Sequence, residues 1–68
     1  MIDRAAYVVV EDGAEPASFT VDDAKLTWFS DESGTRWLQF RARAVNVAGT
    51  DTPTICVPAE KVLRLVQL

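Results

Sequence analysis

Cys56 is the single cysteine of the chain and histidine is absent, so the side chains that most often supply nucleophile and base never occur together. A Cys-His pair and a Ser-His-Asp triad both need an imidazole to take up the proton, and neither can be built. A reactive thiolate also needs a cation or base beside it, whereas Cys56 is flanked by Ile55 and Val57. Its expected role is that of a small core residue. A serine–lysine pair is the nucleophilic arrangement the composition still permits, but Ser18, Ser30 and Ser33 all fall in or beside expected turns, where hydroxyls serve the backbone. Zinc, copper and haem sites of the common types draw on several Cys or His ligands, and this chain offers one. Glu11, Asp12 and Glu15 bring carboxylates without the spacing of a calcium loop, and read as solvated loop acids. Asp22 and Asp23 are adjacent carboxylates of the kind general acid–base catalysis uses, yet their expected place at the start of a helical turn explains them as capping groups. No catalytic, cofactor-binding or metal-binding residue is therefore assigned, and no enzyme is expected.

The constellation that does point to function is Trp37, Gln39, Arg41 and Arg43, alternating along one run, with Phe29 and Lys25 joining from a neighbouring run. Period-two spacing places all of them on one face of a sheet. Aromatic rings with arginines make hot spots at protein interfaces, and the same types stack bases and contact phosphates in single-strand recognition. Phe29, Trp37, Arg41 and Arg43 are the candidate partner-binding residues. The structural explanation is that Trp37 and Phe29 stack on each other while the arginine stems cover a second apolar layer and pair with acids.

These residues need a hairpin to bring them together. Residues 25–30 and 35–45 are aromatic-bearing runs on either side of a polar turn, Asp31-Glu32-Ser33-Gly34. A loop of Glu32, Ser33 and Gly34 puts glycine where a type I turn with a G1 bulge needs positive φ. Asp31 then pairs with Thr35, Trp28 with Leu38, Leu26 with Phe40 and Ala24 with Ala42, while Phe29 meets Trp37 on the other face. A shift by one residue would turn the apolar face outward.

Around this hairpin, residues 5–11 read as a first strand, apolar on both faces, and residues 13–18 as a loop containing Pro16. Residues 20–24 read as one helical turn capped by Thr20. A second turn is expected at residues 46–53, around Ala48-Gly49-Thr50-Asp51, then a short strand at residues 54–57. Pro58 opens a helical or 3₁₀ turn, and residues 62–68 form a closing strand, or alternatively a helix begun at Pro58 that would make the fold α+β. The fold class expected is mainly β, a small antiparallel sheet or a barrel with one short helical turn. The order of four strands, a single turn and a fifth strand is similar to small five-stranded barrels of the SH3-like and Sm-like kind, a resemblance of architecture that implies no particular function.

The 68 residues are read as a single β-rich domain, nearly half hydrophobic and a quarter charged, the profile of a folded chain. A core this small leaves little wall for a deep pocket. No apolar run approaches the roughly 20 residues of a membrane span, and the first residues lack the layout of a secretory signal, so a cytoplasmic location with no membrane partner is expected. Net charge is −3, but residues 1–34 hold eight acids against two bases and residues 35–68 five bases against two acids. Interleaved strands would mix the two signs. The functional expectation is a regulatory or binding module acting on a protein partner, as an inhibitor or accessory protein. Single-stranded nucleic acid is the alternative partner, and the acids of the first half, as a phosphate mimic, supply a third reading. Homo-oligomers through an exposed edge strand are compatible with all three.

Overall fold

The computed structural model describes residues 2–43 and 53–67. Five strands and one 3₁₀ turn follow one another: β1 (Tyr7–Asp12), β2 (Glu15–Ser30), β3 (Arg36–Ala42), β4 (Thr54–Pro58), the turn Ala59–Lys61, and β5 (Val62–Val66). They form one antiparallel sheet in the order β4-β3-β2-β1-β5. Of the two forms expected, the open sheet is the one observed, with β4 and β5 as its edges. Pro58, whose φ is −60°, leads into the 3₁₀ turn, and the chain beyond it is extended, so the helical alternative for the C-terminal segment is excluded. Among the described residues no helix is long and apolar enough to cross a membrane. The turn expected around Ala48 to Asp51 lies outside the described residues.

Two expectations about the first half fail together. Residues 13–18 are not a loop: Asp12 pairs with Glu15, so residues 13 and 14 alone make the turn, with Gly13 at φ +65°. Glycine at the first central position is what a two-residue II′ hairpin requires. Pro16 and Ser18 lie inside β2, opposite Glu11 and Val9. Nor do residues 20–24 turn into a helix. Backbone groups of these residues and of Leu26 just beyond have partners on both sides: Val21 N–H donates to Ala6 O (2.9 Å), Ala5 N–H to Ala24 O (3.0 Å), Leu26 N–H to Asp3 O (2.9 Å) and Arg43 N–H to Thr20 O (2.8 Å). Those contacts outweigh the local capping preference of Thr20.

β2 is thus a 16-residue strand that must bend to serve two halves of the sheet. The bend is a bulge, at which pairing passes from Val21–Ala42 to Leu26–Phe40, so Ala42 faces Val21 and not Ala24. Asp23 and Ala24 there adopt left-handed φ values of 56° and 55°. That conformation costs a non-glycine residue roughly 1–2 kcal/mol. The bend brings the inner faces of the two halves together. Ala5, Val8, Val10, Val21, Leu26, Leu38, Phe40 and Ala42 are buried as one cluster, and Phe19 meets Phe40 edge-on with ring centroids 5.8 Å apart. β1 buries only one face, because Tyr7 and Glu11 are exposed and Val9 is half-buried, contrary to the two-sided burial its composition suggested. Burying a Val or Leu side chain fully contributes about 1.5–3 kcal/mol, which makes Val8 and Leu38, both at zero exposure, the main anchors.

Candidate partner-binding face

The hairpin between β2 and β3 has the register read from its residues. Trp28 pairs with Leu38, Leu26 with Phe40 and Phe29 with Trp37. Asp31 N–H donates to Thr35 O at 3.0 Å, Gly34 N–H donates to Asp31 O at 3.1 Å, and Gly34 has φ +87°. Leu26, Leu38 and Phe40 are buried, and Trp28 packs at the margin of the core with its indole N–H on Ile2 O (2.6 Å). The other parity faces outward: Phe29 is 39% exposed, Trp37 and Gln39 are half-buried, and Lys25, Thr27 and Arg41 are exposed.

β4 extends this face by one strand. Ile55 and Val57 pack inward against the core, so Thr54, Cys56 and Pro58 have the outward parity. Register places Pro58 beside Trp37, Cys56 beside Gln39 and Thr54 beside Arg41. The outer surface therefore carries an apolar row, Phe29–Trp37–Pro58, then a polar row, Thr27–Gln39–Cys56, then a basic end at Lys25 and Arg41. Cys56 is exposed, not a core residue as its apolar neighbours suggested, and its thiol lies 3.7 Å from Gln39 Oε1. Ile55 and Val57 take the inward positions, and alternation leaves the residue between them outside.

Trp37 is held by the turn. Oδ1 of Asp31 accepts from Ser33 N–H (2.9 Å), the Ser33 hydroxyl (2.7 Å) and Thr35 N–H (3.0 Å), while Oδ2 accepts the Trp37 indole N–H at 2.8 Å. These donors favour the carboxylate, the Ser33 hydroxyl most and the Trp37 indole next, and hold the Asp31 pKa down at about 2 from 3.8. The indole nitrogen is thereby satisfied within the chain, which leaves the ring surface as what Trp37 offers a partner. Among the described residues the ring–ring contact is Phe19 with Phe40, so Phe29 and Trp37 stand side by side without stacking on each other.

Beyond the polar row the face dips into a depression of about 180 Å³ lined by Asp22, Lys25, Thr27, Gln39, Phe40 and Arg41. Arg43, still largely exposed, reaches Asp22 at 3.5 Å. Of the four candidate residues, Phe29 and Trp37 are register neighbours, Arg41 lies on the same face, and Arg43 is drawn to the rim of the depression by Asp22. Pro58 and Asp31 were not among the candidates. Pro58 shares its face with Trp37 only through the long-range β3–β4 pairing, whereas Asp31 could have been found from the spacing Asp31, Ser33, Thr35, an Asx-turn pattern. Of the other acids of the first half, Glu11, Asp12 and Glu15 lie at the β1–β2 turn, Asp23 at the bend of β2, Glu32 at the β2–β3 turn and Asp3 ahead of β1. Among the described residues, no group of three or more His, Cys, Asp or Glu is arranged to hold a metal ion. No protein-family model, curated protein or solved structure matches this chain.

Proposed function

We propose that this protein is a non-enzymatic binding or regulatory module that docks a protein partner on the outer face of β2, β3 and β4. The observation that carries this reading is the Phe29–Trp37–Pro58 row, three apolar side chains aligned across neighbouring strands, with the Trp37 ring fixed by Asp31. A preset aromatic loses little side-chain entropy on binding, and aromatic anchors dominate interface energetics. The depression beside it is smaller than the roughly 300–1,000 Å³ of small-molecule sites, which favours a surface partner over a metabolite.

Single-stranded nucleic acid is the second reading, favoured by the presence of Phe29 and Trp37 on one sheet face with Arg41. Net charge of −3 weighs against a general phosphate binder. A phosphate mimic would need its acids in one patch, and here Glu11, Asp12 and Glu15 flank the β1–β2 turn, Asp22 and Asp23 lie in the middle of β2, and Asp31 and Glu32 lie in the β2–β3 turn. The test is capture from native lysate with and without nuclease, comparing the wild type with Trp37→Ala. A nuclease-resistant protein that Trp37→Ala fails to retain supports the proposal. Loss of the captured partner on nuclease treatment supports nucleic acid instead, and capture that ignores Trp37 refutes the role of this face.

A further inference from the structure

We infer that β4 is the contact of this protein with a second copy of itself, the two β4 strands pairing antiparallel about a twofold axis at Ile55. The pairing lies in the plane of the sheet, so it does not depend on what the outer face binds and leaves the Phe29–Trp37–Pro58 row open on each copy.

The two edges of the sheet are not alike. β5 departs from regular pairing with β1 at Leu63, where the register passes from Val9–Arg64 to Val10–Val62, and it carries a charge at Arg64. A bulge and a charged side chain are devices that keep an edge strand from adding another. β4, Thr54-Ile55-Cys56-Val57-Pro58, has neither a charged residue nor a shift in register. Its backbone direction follows from one bond. Ala42 N–H donates to Pro53 O (2.9 Å), so by alternation Ile55 and Val57 turn their N–H and C=O groups to β3, while Thr54 and Cys56 turn theirs to the open side. Among the described residues β4 has no second neighbouring strand. Two donors and two acceptors thus stand on the edge ahead of Pro58, which has no N–H and leads into the 3₁₀ turn.

That set is complementary to itself in one register. With Ile55 facing Ile55 of the second copy, Thr54 lies opposite Cys56 in both halves and each such pair exchanges two hydrogen bonds, so every outward donor and acceptor is used and Pro58 stays outside the paired stretch. Centring on Cys56 instead sets Thr54 against Pro58, which returns no donor. The side chains agree. Ile55 and Val57 pack against the core yet remain half-buried, and Ile55 of the second copy covers the flank that β3 leaves open. Charge does not oppose the pairing: at ~4.8 Å between strands and ~3.3 Å per residue the two Arg41 positions lie about 16 Å apart, beyond the screening length of roughly 8 Å.

The experiment uses the whole chain, isotope-labelled, with sedimentation and amide resonances followed from about 5 µM to about 1 mM. A five-residue contact is short, so the expected dimer has a Kd of roughly 10–100 µM, with concentration-dependent shifts at Thr54 and Cys56 and none at Leu63 or Arg64. Thr54→Lys with Cys56→Lys sets like charges opposite each other and weakens the dimer about tenfold or more, whereas Thr54→Lys with Cys56→Glu sets unlike charges opposite and restores it. Both positions are exposed, so the fold is retained. Mild oxidation reads the register. Thr54→Cys gives a covalent dimer through Cys56 of the second copy, while the wild type, its two Cys56 positions about 8 Å apart, does not. A monomer throughout the range overturns the inference and leaves the docking face standing. A dimer that ignores the lysine pair, or whose shifts fall on β5, overturns it too, as does a wild type that crosslinks ahead of Thr54→Cys.

Discussion

Asp31 receives four donors on two oxygens, and one of them is the indole of Trp37, the residue most central to the proposed binding face. The arrangement ties the turn to the aromatic row, so acid should act on both. Because its pKa is lower in the folded chain than unfolded, the stabilisation is complete above the ordinary value of 3.8 and is lost as pH falls through about 2. The Trp37 indole proton resonance should titrate with a midpoint near 2; a midpoint near 4 would mean that the turn does not hold the carboxylate. Asp31→Ala should lower the thermal midpoint and, through a freer Trp37 ring, weaken capture of the proposed protein partner, and Asp31→Asn should recover part of both. The turn itself was readable, since Asp31, Ser33 and Gly34 are each placed by local chemistry. The exposure of Cys56 was less legible, because Thr54 at the strand's first position is the one polar residue to mark the outward parity and a free cysteine is as often buried as its apolar neighbours.

Local patterning set the β2–β3 register for the same reason: one glycine at positive φ fixes the loop, and the loop fixes every pair beyond it. Gly34 has open space where a Cβ would sit, so Gly34→Ala should cost only the conformational penalty, roughly 1–2 kcal/mol in urea unfolding. The bend in β2 behaves in the opposite way. Ala24 sits at φ 55° without being glycine, and Ala24→Gly should stabilise the protein by about 0.5–1 kcal/mol after the added freedom of the unfolded chain is counted. A loss of stability would show that the left-handed pair is not strained. Nothing local announces this bend. Thr20, Asp22 and Asp23 favour a helix start in isolation, and the strand wins because residues 3–6 supply hydrogen-bond partners from far along the chain.

In the whole molecule, seven aliphatic side chains and Phe40 form a core shared by both halves of the folded sheet, and β5 returns to pair with β1 near the other end of the described chain. Ala6 N–H on Val66 O (2.8 Å) and the Gln67 amide on Arg4 O (3.2 Å) tie these ends together. Leu38, fully buried on β3, links this core to the outward-facing Trp37 and Gln39 on either side of it. Leu38→Ala should cost about 2–5 kcal/mol, a large share of the roughly 3–10 kcal/mol expected of a chain this size. Chemical denaturation followed at Trp28 and Trp37 should show one transition moved to lower urea. Strand number and the 3₁₀ turn could be read from propensity and proline, whereas the surface formed by Trp37 with Pro58 depends on pairing between strands separated by a long connection.

The proposed meeting place of this protein with its partner is the solvent side of β2, β3 and β4. Amide and indole resonances of the labelled chain, followed as the purified captured partner is added, test it most directly. Shifts are expected at Phe29, Trp37, Gln39, Arg41 and the Trp37 indole, with β1 and β5 unmoved and the response absent in Trp37→Ala. Shifts confined to Tyr7, Val9 and Leu63 around β1 and β5, with the Trp37 indole unchanged, would contradict it.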